Sequence, residues 1–360
     1  MSHHDNGYDT GSHEPDAVTA EDPILRGEAG RNAAPLARMP ATPCPYPDLQ
    51  ILTRGLASVF RTNGYTVGHV TVLDRKPTDR GTFGSEIVRC RLSNGRELHV
   101  VCKYGAGHSI NVYGHRGGIP YEAAVYRHVL QPLQAATPTF YGAYTDITTG
   151  KTLLVLDYLQ QTNKNRRPSP AAKPVAAARW IGQFHAANEA RLADIPVPVL
   201  NTYDAAYYRG WVHRTSEFAG QLHPRLPWLA ALCARWEEFV SRLLEPPPTV
   251  IHGEYYLENI LYCGGSIYPV DWESAAIAAG EIDLACLTDR WPSDIVWQCE
   301  LEYQRVLCPH GSSADFERRL TAARLYMHFR WLGDRPEWTT HKHFWRFEQL
   351  RSAGERLGLI

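Results

Sequence analysis

Between Val250 and Glu273 the chain reads V-I-H-G-E-Y-Y-L-E-N-I-L-Y-C, a Gly-Gly turn, and S-I-Y-P-V-D-W-E. Two short apolar strands and the loop between them carry Glu254, Asn259 and Asp271. Carboxylate, carbonyl and water oxygens are the natural ligands of Mg²⁺. That ion takes one or two protein carboxylates and completes its shell with water and substrate phosphates. A carboxylate left over can orient a hydroxyl nucleophile. An amide and two carboxylates in this order therefore point to phosphoryl-transfer chemistry, which needs positioning and charge neutralisation more than covalent catalysis.

The run resembles the catalytic loop and metal-binding motif of the aminoglycoside phosphotransferase family, relatives of the protein kinases that also include choline kinases. That family shows H-G-D-x-x-x-x-N followed by D-x-E or D-x-D. One letter departs, since Glu254 stands where the family has Asp. The resemblance implies ATP, or GTP in its place, with Mg²⁺. It makes Asp271 the bridging metal ligand and Asn259 the ligand of a second metal. Glu254 would accept a hydrogen bond from the acceptor hydroxyl and take its proton late. His252 is implied as a packed histidine bracing the loop. The segment Gly280 to Ala285 (G-E-I-D-L-A) resembles the family's next conserved stretch, and implies that Asp283 bonds the loop backbone from a helix start, where an Asp also serves as a simple cap. Glu and Asp have similar ordinary pKa values, about 4.3 and 3.9, so the change at 254 threatens reach rather than basicity. A misplacement of about 1 Å can cost on the order of 10²-fold.

The elements that must position these groups fall into two classes. Leu52, Leu56, Val59 and Phe60 give Leu49 to Asn63 a helical stripe. Tyr65 to Leu73, Glu86 to Leu92 and Glu97 to Tyr104 read as strands, the last two joined by an Asn-Gly turn. Tyr121 to Leu130 reads as a helix, and Phe140 to Thr145 pairs with Thr152 to Tyr158. Beyond residue 160 helices dominate, punctuated by Pro174, Pro224, Pro227 and Pro246 to Pro248. The expected fold is α+β: a bilobal, protein-kinase-like architecture with a small antiparallel-sheet N-lobe over residues 46–157 and a larger helical C-lobe over 158–360. Residues 1–45, rich in Gly, Pro and acidic residues, read as a disordered arm.

Within the N-lobe, Lys103 ends an apolar strand and matches the kinase-like lysine that contacts α- and β-phosphates, with Glu122 holding it by an ion pair. Arg80 to Ser85 contains Gly81 and Gly84 between the first two strands. There the amides of Phe83, Gly84 and Ser85 would face phosphate, although the full G-x-G-x-x-G pattern is absent. No G-x-x-x-x-G-K-[ST] occurs, which excludes the ordinary P-loop. The link Leu156-Asp157-Tyr158-Leu159 would read the base, with Asp157 and Leu159 as its contacts; that assignment rests on the resemblance.

Composition narrows the partners. A net charge of −1 over 360 residues recommends neither nucleic acid nor an anionic membrane. No apolar run is long enough to span a bilayer, no secretory signal opens the chain, and eight Cys are scattered without C-x-x-C pairs. A cytoplasmic location is expected. The expected partner is a small-molecule hydroxyl acceptor. Trp291, Trp297, Trp331, Trp338 and Trp345, with Tyr203, Tyr207, Tyr208 and Trp211, either stack on that acceptor or form core. A slight basic excess beyond Glu300 disfavours an aminoglycoside. A catalytically idle kinase-like binding protein is the alternative.

Overall fold

A computed structural model describes residues 46–360, apart from residues 63, 66–67, 79–82, 106–112, 114, 160–170, 193–198, 308–313, 338 and 340–342. The expected N-terminal arm, Gly81 and Trp338 lie outside the described residues.

Helix α1 (Leu49–Thr62) buries Leu52, Leu56, Val59 and Phe60 against a five-stranded antiparallel sheet. The strands are β1 (Val70–Thr78), β2 (Gly84–Leu92), β3 (Glu97–Gly105), β4 (Phe140–Thr145) and β5 (Thr152–Asp157), in the order β1-β2-β3-β5-β4. β1 starts five residues later than the β-branched run at Tyr65 suggests, and continues through Lys76 and Pro77. It is an edge strand, where a proline's missing N–H does no harm to the ladder. Strand period decides what β3 presents. Leu98, Val100, Cys102 and Tyr104 pack beneath α1, so Val101 and Lys103 point to the opposite face.

Helix α2 (Gly118–Val125), prolonged by a π-helical turn over Tyr126–Leu130, packs on that second face. Three hydrogen bonds tie its start to the turn after Asp271. The Gly117 N–H donates to the Glu273 carbonyl (2.8 Å), the Tyr121 hydroxyl donates to the Ala275 carbonyl (2.6 Å), and Glu122 Oε1 accepts the Trp272 N–H (3.3 Å).

The rest is mainly helical: α3 (Ala172–Leu192), α4 (Ala205–Phe218), α5 (Pro227–Ala234), α6 (Trp236–Leu244), α7 (Glu281–Thr288), α8 (Ser293–Leu307), α9 (Ala314–Asp334) and α10 (Arg346–Arg356). Asp204 caps α4 by accepting the Tyr207 N–H at 2.8 Å. Pro227 takes the first position of α5, where its missing N–H is an orphan in any case. β6 (Asn201–Thr202), β10 (Ala276–Ala278) and β7 (Thr249–Ile251) form a small sheet in that order, and β8 (Ile260–Cys263) and β9 (Ser266–Pro269) form a hairpin. Gly264 and Gly265 both adopt positive φ at its turn, as a two-residue hairpin requires. Among the described residues no helix is long and apolar enough to cross a membrane.

Candidate active site

The loop from His252 to Asn259 is built on β7 and held from below. Gly253 has φ +81°, and a Cβ there would lie 2.2 Å from the Ser274 carbonyl oxygen, so only glycine fits. Asp283, in the first turn of α7, accepts the N–H groups of His252 (2.7 Å) and Gly253 (2.9 Å) and faces His185 Nε2 at 3.1 Å. His252 Nε2 lies 2.8 Å from the Val270 carbonyl. A carbonyl can only accept, so this nitrogen carries the proton. Burial holds the His252 ring below the ordinary histidine range, against the pull of Asp283. It is a neutral brace joining the loop to the strand that delivers Asp271. Tyr255 anchors the same loop to α3 through the Ala177 carbonyl (3.0 Å).

A cleft of about 660 Å³ opens above this loop. Phe83, Ser85, Ile87, Val101 and Lys103 line it from the sheet, Leu156 to Leu159 from the end of β5 and the link after it, and Glu254, Asn259, Leu261, Val270, Asp271 and Glu273 from the other side. Of the residues singled out in the sequence, Lys103, Ser85, Asp157, Leu159, Glu254, Asn259 and Asp271 thus share one cavity. Gly84 lies beside it as the first residue of β2, Glu122 stands behind Lys103, and His252 and Asp283 lie beneath the loop. Asp157 accepts a hydrogen bond from the Tyr141 hydroxyl (3.3 Å).

On the sheet side, Lys103 Nζ is 2.8 Å from both oxygens of Glu122 and also contacts Asp271. Burial would lower this ammonium, but Asp271 and Glu122 outweigh it and hold the lysine above its usual range. Asp271 adopts φ +65°, a left-handed conformation that Asp tolerates better than most residues and that often marks a functional turn. Asn259 Nδ2 donates to the Glu254 carbonyl at 3.0 Å, and the Asn259 carbonyl accepts the Val270 N–H at 2.9 Å. The hairpin therefore fixes both side chains relative to each other. Among the described residues no three His, Cys, Asp or Glu converge to hold a metal unaided. A divalent ion placed here would draw the remaining oxygens from phosphate and water, the habit of Mg²⁺.

Glu254 is in a setting that its motif does not foretell. Arg116 grips it with a two-pronged fork, Nη2 to Oε1 at 2.7 Å and Nε to Oε2 at 3.2 Å. Arg330 Nη1 adds a third bond to Oε1 at 3.1 Å, and His115 Nε2 stands 3.5 Å away. Burial alone would raise this carboxyl. Hydrogen bonding from His115 and the charges of Arg116 and Arg330 prevail and hold it well below the ordinary range. Arg330 is only 1% exposed; its Nη2 donates to the Tyr256 hydroxyl at 2.7 Å and its guanidinium lies over Trp331. Burial, then Arg330, push His115 down to about 4, so it is neutral. Glu273, 3.7 Å from Arg116, has a buried Oε2 without a hydrogen-bond partner and is pushed up to about 8 by burial and by the nearby Glu122 and Glu254. Arg116, Arg330 and His115 escaped the sequence reading. The one available signal is Arg330 itself, a cation set four residues after Tyr326 on the buried face of α9.

The aromatic residues divide. Tyr203 and Tyr207 stack at 3.9 Å, and Tyr208 and Trp211 are buried with them, so this group is packed core. Trp297 is 62% exposed, and with Trp291 and Trp345 it lines a separate cavity on α8 and α9. Trp331 donates to the Tyr256 hydroxyl (2.6 Å) beside Arg330.

Residues 115–320, more than half of the chain, match the sequence profile of the phosphotransferase enzyme family (APH). Among solved structures, a choline kinase from Cryptosporidium parvum Iowa II is similar at 13% identity and TM-score 0.56, over 87% of this chain and 98% of that one. A microcompartment-associated aminopropanol kinase matches at 12% identity and TM-score 0.54, over 85% and 94%. LicA, a choline kinase of Streptococcus pneumoniae, matches in its complex with AMP at 13% identity and TM-score 0.52, over 84% and 96%. At these identities the likeness concerns the fold. No curated protein matches the chain significantly.

Proposed function

The chain belongs to the phosphotransferase enzyme family, and from that premise we propose that it moves the γ-phosphate of ATP to a hydroxyl group of a small molecule. One observation carries the reading: the paired Lys103, Asp271, Asn259 and Glu254 face the same cleft. Val101 and Ile87 on one wall and Leu261 and Val270 on the other would sandwich the base. The link from Leu156 to Leu159, which lines the same cleft, would meet its edge. Lys103, steadied by Glu122, would hold the α- and β-phosphates, and GTP in place of ATP would use the same contacts. Asp271 and the side-chain amide oxygen of Asn259 would hold Mg²⁺, which when bound neutralises charge on the phosphates. Gly84 and Ser85 would cover the phosphates from the sheet. Glu254 would align the acceptor hydroxyl and receive its proton once freed from Arg116. His252 and Asp283 would keep the loop in place while this happens. A cytoplasmic location suits such a reaction, since ATP is supplied there.

A second reading rests on Glu254. Both its oxygens are engaged by guanidinium groups, and a carboxylate so held is a weak proton acceptor. A protein locked in that state would bind nucleotide without transferring phosphate. A product screen by mass spectrometry with ATP, GTP and Mg²⁺ over polyols, amino alcohols, sugar acids and antibiotics separates the two. A phosphorylated product supports transfer. Metal-dependent nucleotide binding with no product from any acceptor supports the idle protein.

A further inference from the structure

The phosphotransferase reading leaves the acceptor open, and the charges around Glu254 narrow it. Two permanent cations, Arg116 and Arg330, hold the Glu254 carboxylate at this end of the cleft, and Glu273 lies 3.7 Å from Arg116. Both oxygens of Glu254 are already taken by these guanidinium groups, so this carboxylate has none free for an ammonium group. The two arginines also differ in freedom. Arg330 is fixed by Tyr256, Trp331 and complete burial. Arg116 belongs to the stretch leading into α2, and its side chain is 12% exposed. Its fork on Glu254 uses two parallel N–H donors, the arrangement that any carboxylate or phosphate can occupy equally well.

Resting on that reading, we infer that the acceptor carries an anionic group, a carboxylate or a phosphate, beside the hydroxyl to be phosphorylated, and that this anion takes over the Arg116 fork from Glu254. The exchange conserves the arginine's two hydrogen bonds. It releases the Glu254 carboxylate to meet the acceptor hydroxyl while Arg330 keeps the side chain in place. A neutral or cationic acceptor offers Arg116 nothing in return and leaves Glu254 locked, so the same contact that restrains the base selects the substrate. This is induced fit at the level of one ion pair: the correct acceptor's binding energy assembles the catalytic geometry.

The test uses acceptors matched in skeleton and differing in charge: gluconate, glucose and glucosamine, with glycerate, glycerol and 2-amino-1,3-propanediol as a second set. Phosphorylation by the parent protein and by Arg116→Gln is followed with ATP and Mg²⁺, and the nucleotide affinity and melting temperature of the variant serve as its folding control. The expected parent order is anionic above neutral above cationic. In Arg116→Gln, kcat/KM for the anionic acceptor falls by about 10²-fold, the usual effect of truncating one partner of a buried charge pair. For the neutral acceptor it rises above the parent value, because Glu254 is no longer restrained. Preference for the cationic acceptors, or an equal change of all three classes in the variant, overturns the anion assignment while leaving the phosphotransferase reading intact. An absence of product from every class in both proteins, with nucleotide still bound, overturns that reading and the inference with it. Should Arg116→Gln fail its folding control, Arg116→Lys keeps the charge without the fork, and an unchanged acceptor order there refutes the exchange.

Discussion

The two ends of the cleft are built on opposite charge plans. On the sheet side one cation, Lys103, sits between two carboxylates, Glu122 and Asp271. On the loop side one carboxylate, Glu254, sits between two guanidinium groups. The first arrangement leaves a surplus of negative charge beside the lysine, which suits a metal ion carrying phosphate. The second leaves a surplus of positive charge around the carboxylate, which suits an anion. Similar short contacts thus give opposite invitations, and the sign is set by which partner is outnumbered.

The largest effect should come from breaking the first plan. Asp271→Ala removes the carboxylate that would hold the metal, and phosphoryl transfer should fall by about 10³-fold. Single-turnover rates at saturating Mg²⁺ measure it; a loss under tenfold would remove Asp271 from the metal site. Glu254→Gln strikes the second plan. A drop of about 10²-fold in kcat is expected for a lost proton acceptor, together with a destabilisation of about 3 kcal/mol because the two buried arginines lose their counter-charge. Urea unfolding gives the second number, and an unchanged kcat would assign Glu254 to structure alone.

Asp283→Ala tests the floor that both plans share. Two buried loop N–H groups lose their acceptor, and about 3 kcal/mol of stability should go with them. Glu273, next to the Arg116 fork, adds a pH dependence. Its carboxyl is raised from an ordinary value of 4.5 to about 8 in the fold, so the folded protein retains a proton that the unfolded chain releases. Stability is then full below about pH 4.5 and falls as pH rises through about 8. Glu273→Gln should flatten that slope in thermal scans, and an unaltered slope would refute the raised value. The smallest effect lies away from both plans: Asp204→Ala removes the α4 cap at a cost of about 1 kcal/mol and should leave transfer rates unchanged.

The contrast also explains what could be read from the residues alone. The sheet side was legible because its groups lie in local patterns. Strand alternation aims Lys103 away from Val100 and Cys102, a helix start carries Glu122, and Asp271 ends an apolar strand. The loop side was half hidden. Glu254 stands in a recognisable run, but Arg116 lies 138 positions before it and Arg330 76 positions after it. Neither has a local pattern linking it to the loop, since tertiary packing alone brings them there. The same distinction holds for the fold. The sheet lobe followed by helices is visible in period and turn chemistry, whereas the start of β1 is not, because Tyr65 has strand propensity without a partner strand. The ladder begins where Val70 can pair with Leu92.

The fastening of α2 to the segment from Trp272 to Ala275 has a dynamic consequence. In a bilobal phosphotransferase, a helix bearing the lysine's partner can act as a switch if it swings out and takes that glutamate with it. Here Gly117, Tyr121 and Glu122 are all bonded to the chain just past Asp271. Any outward swing must therefore break these bonds or drag the turn after Asp271 along. Opening and closing of the cleft should occur with helix and turn moving as one rigid piece, and hydrogen exchange at the amides of Gly117 and Trp272 should slow or quicken together.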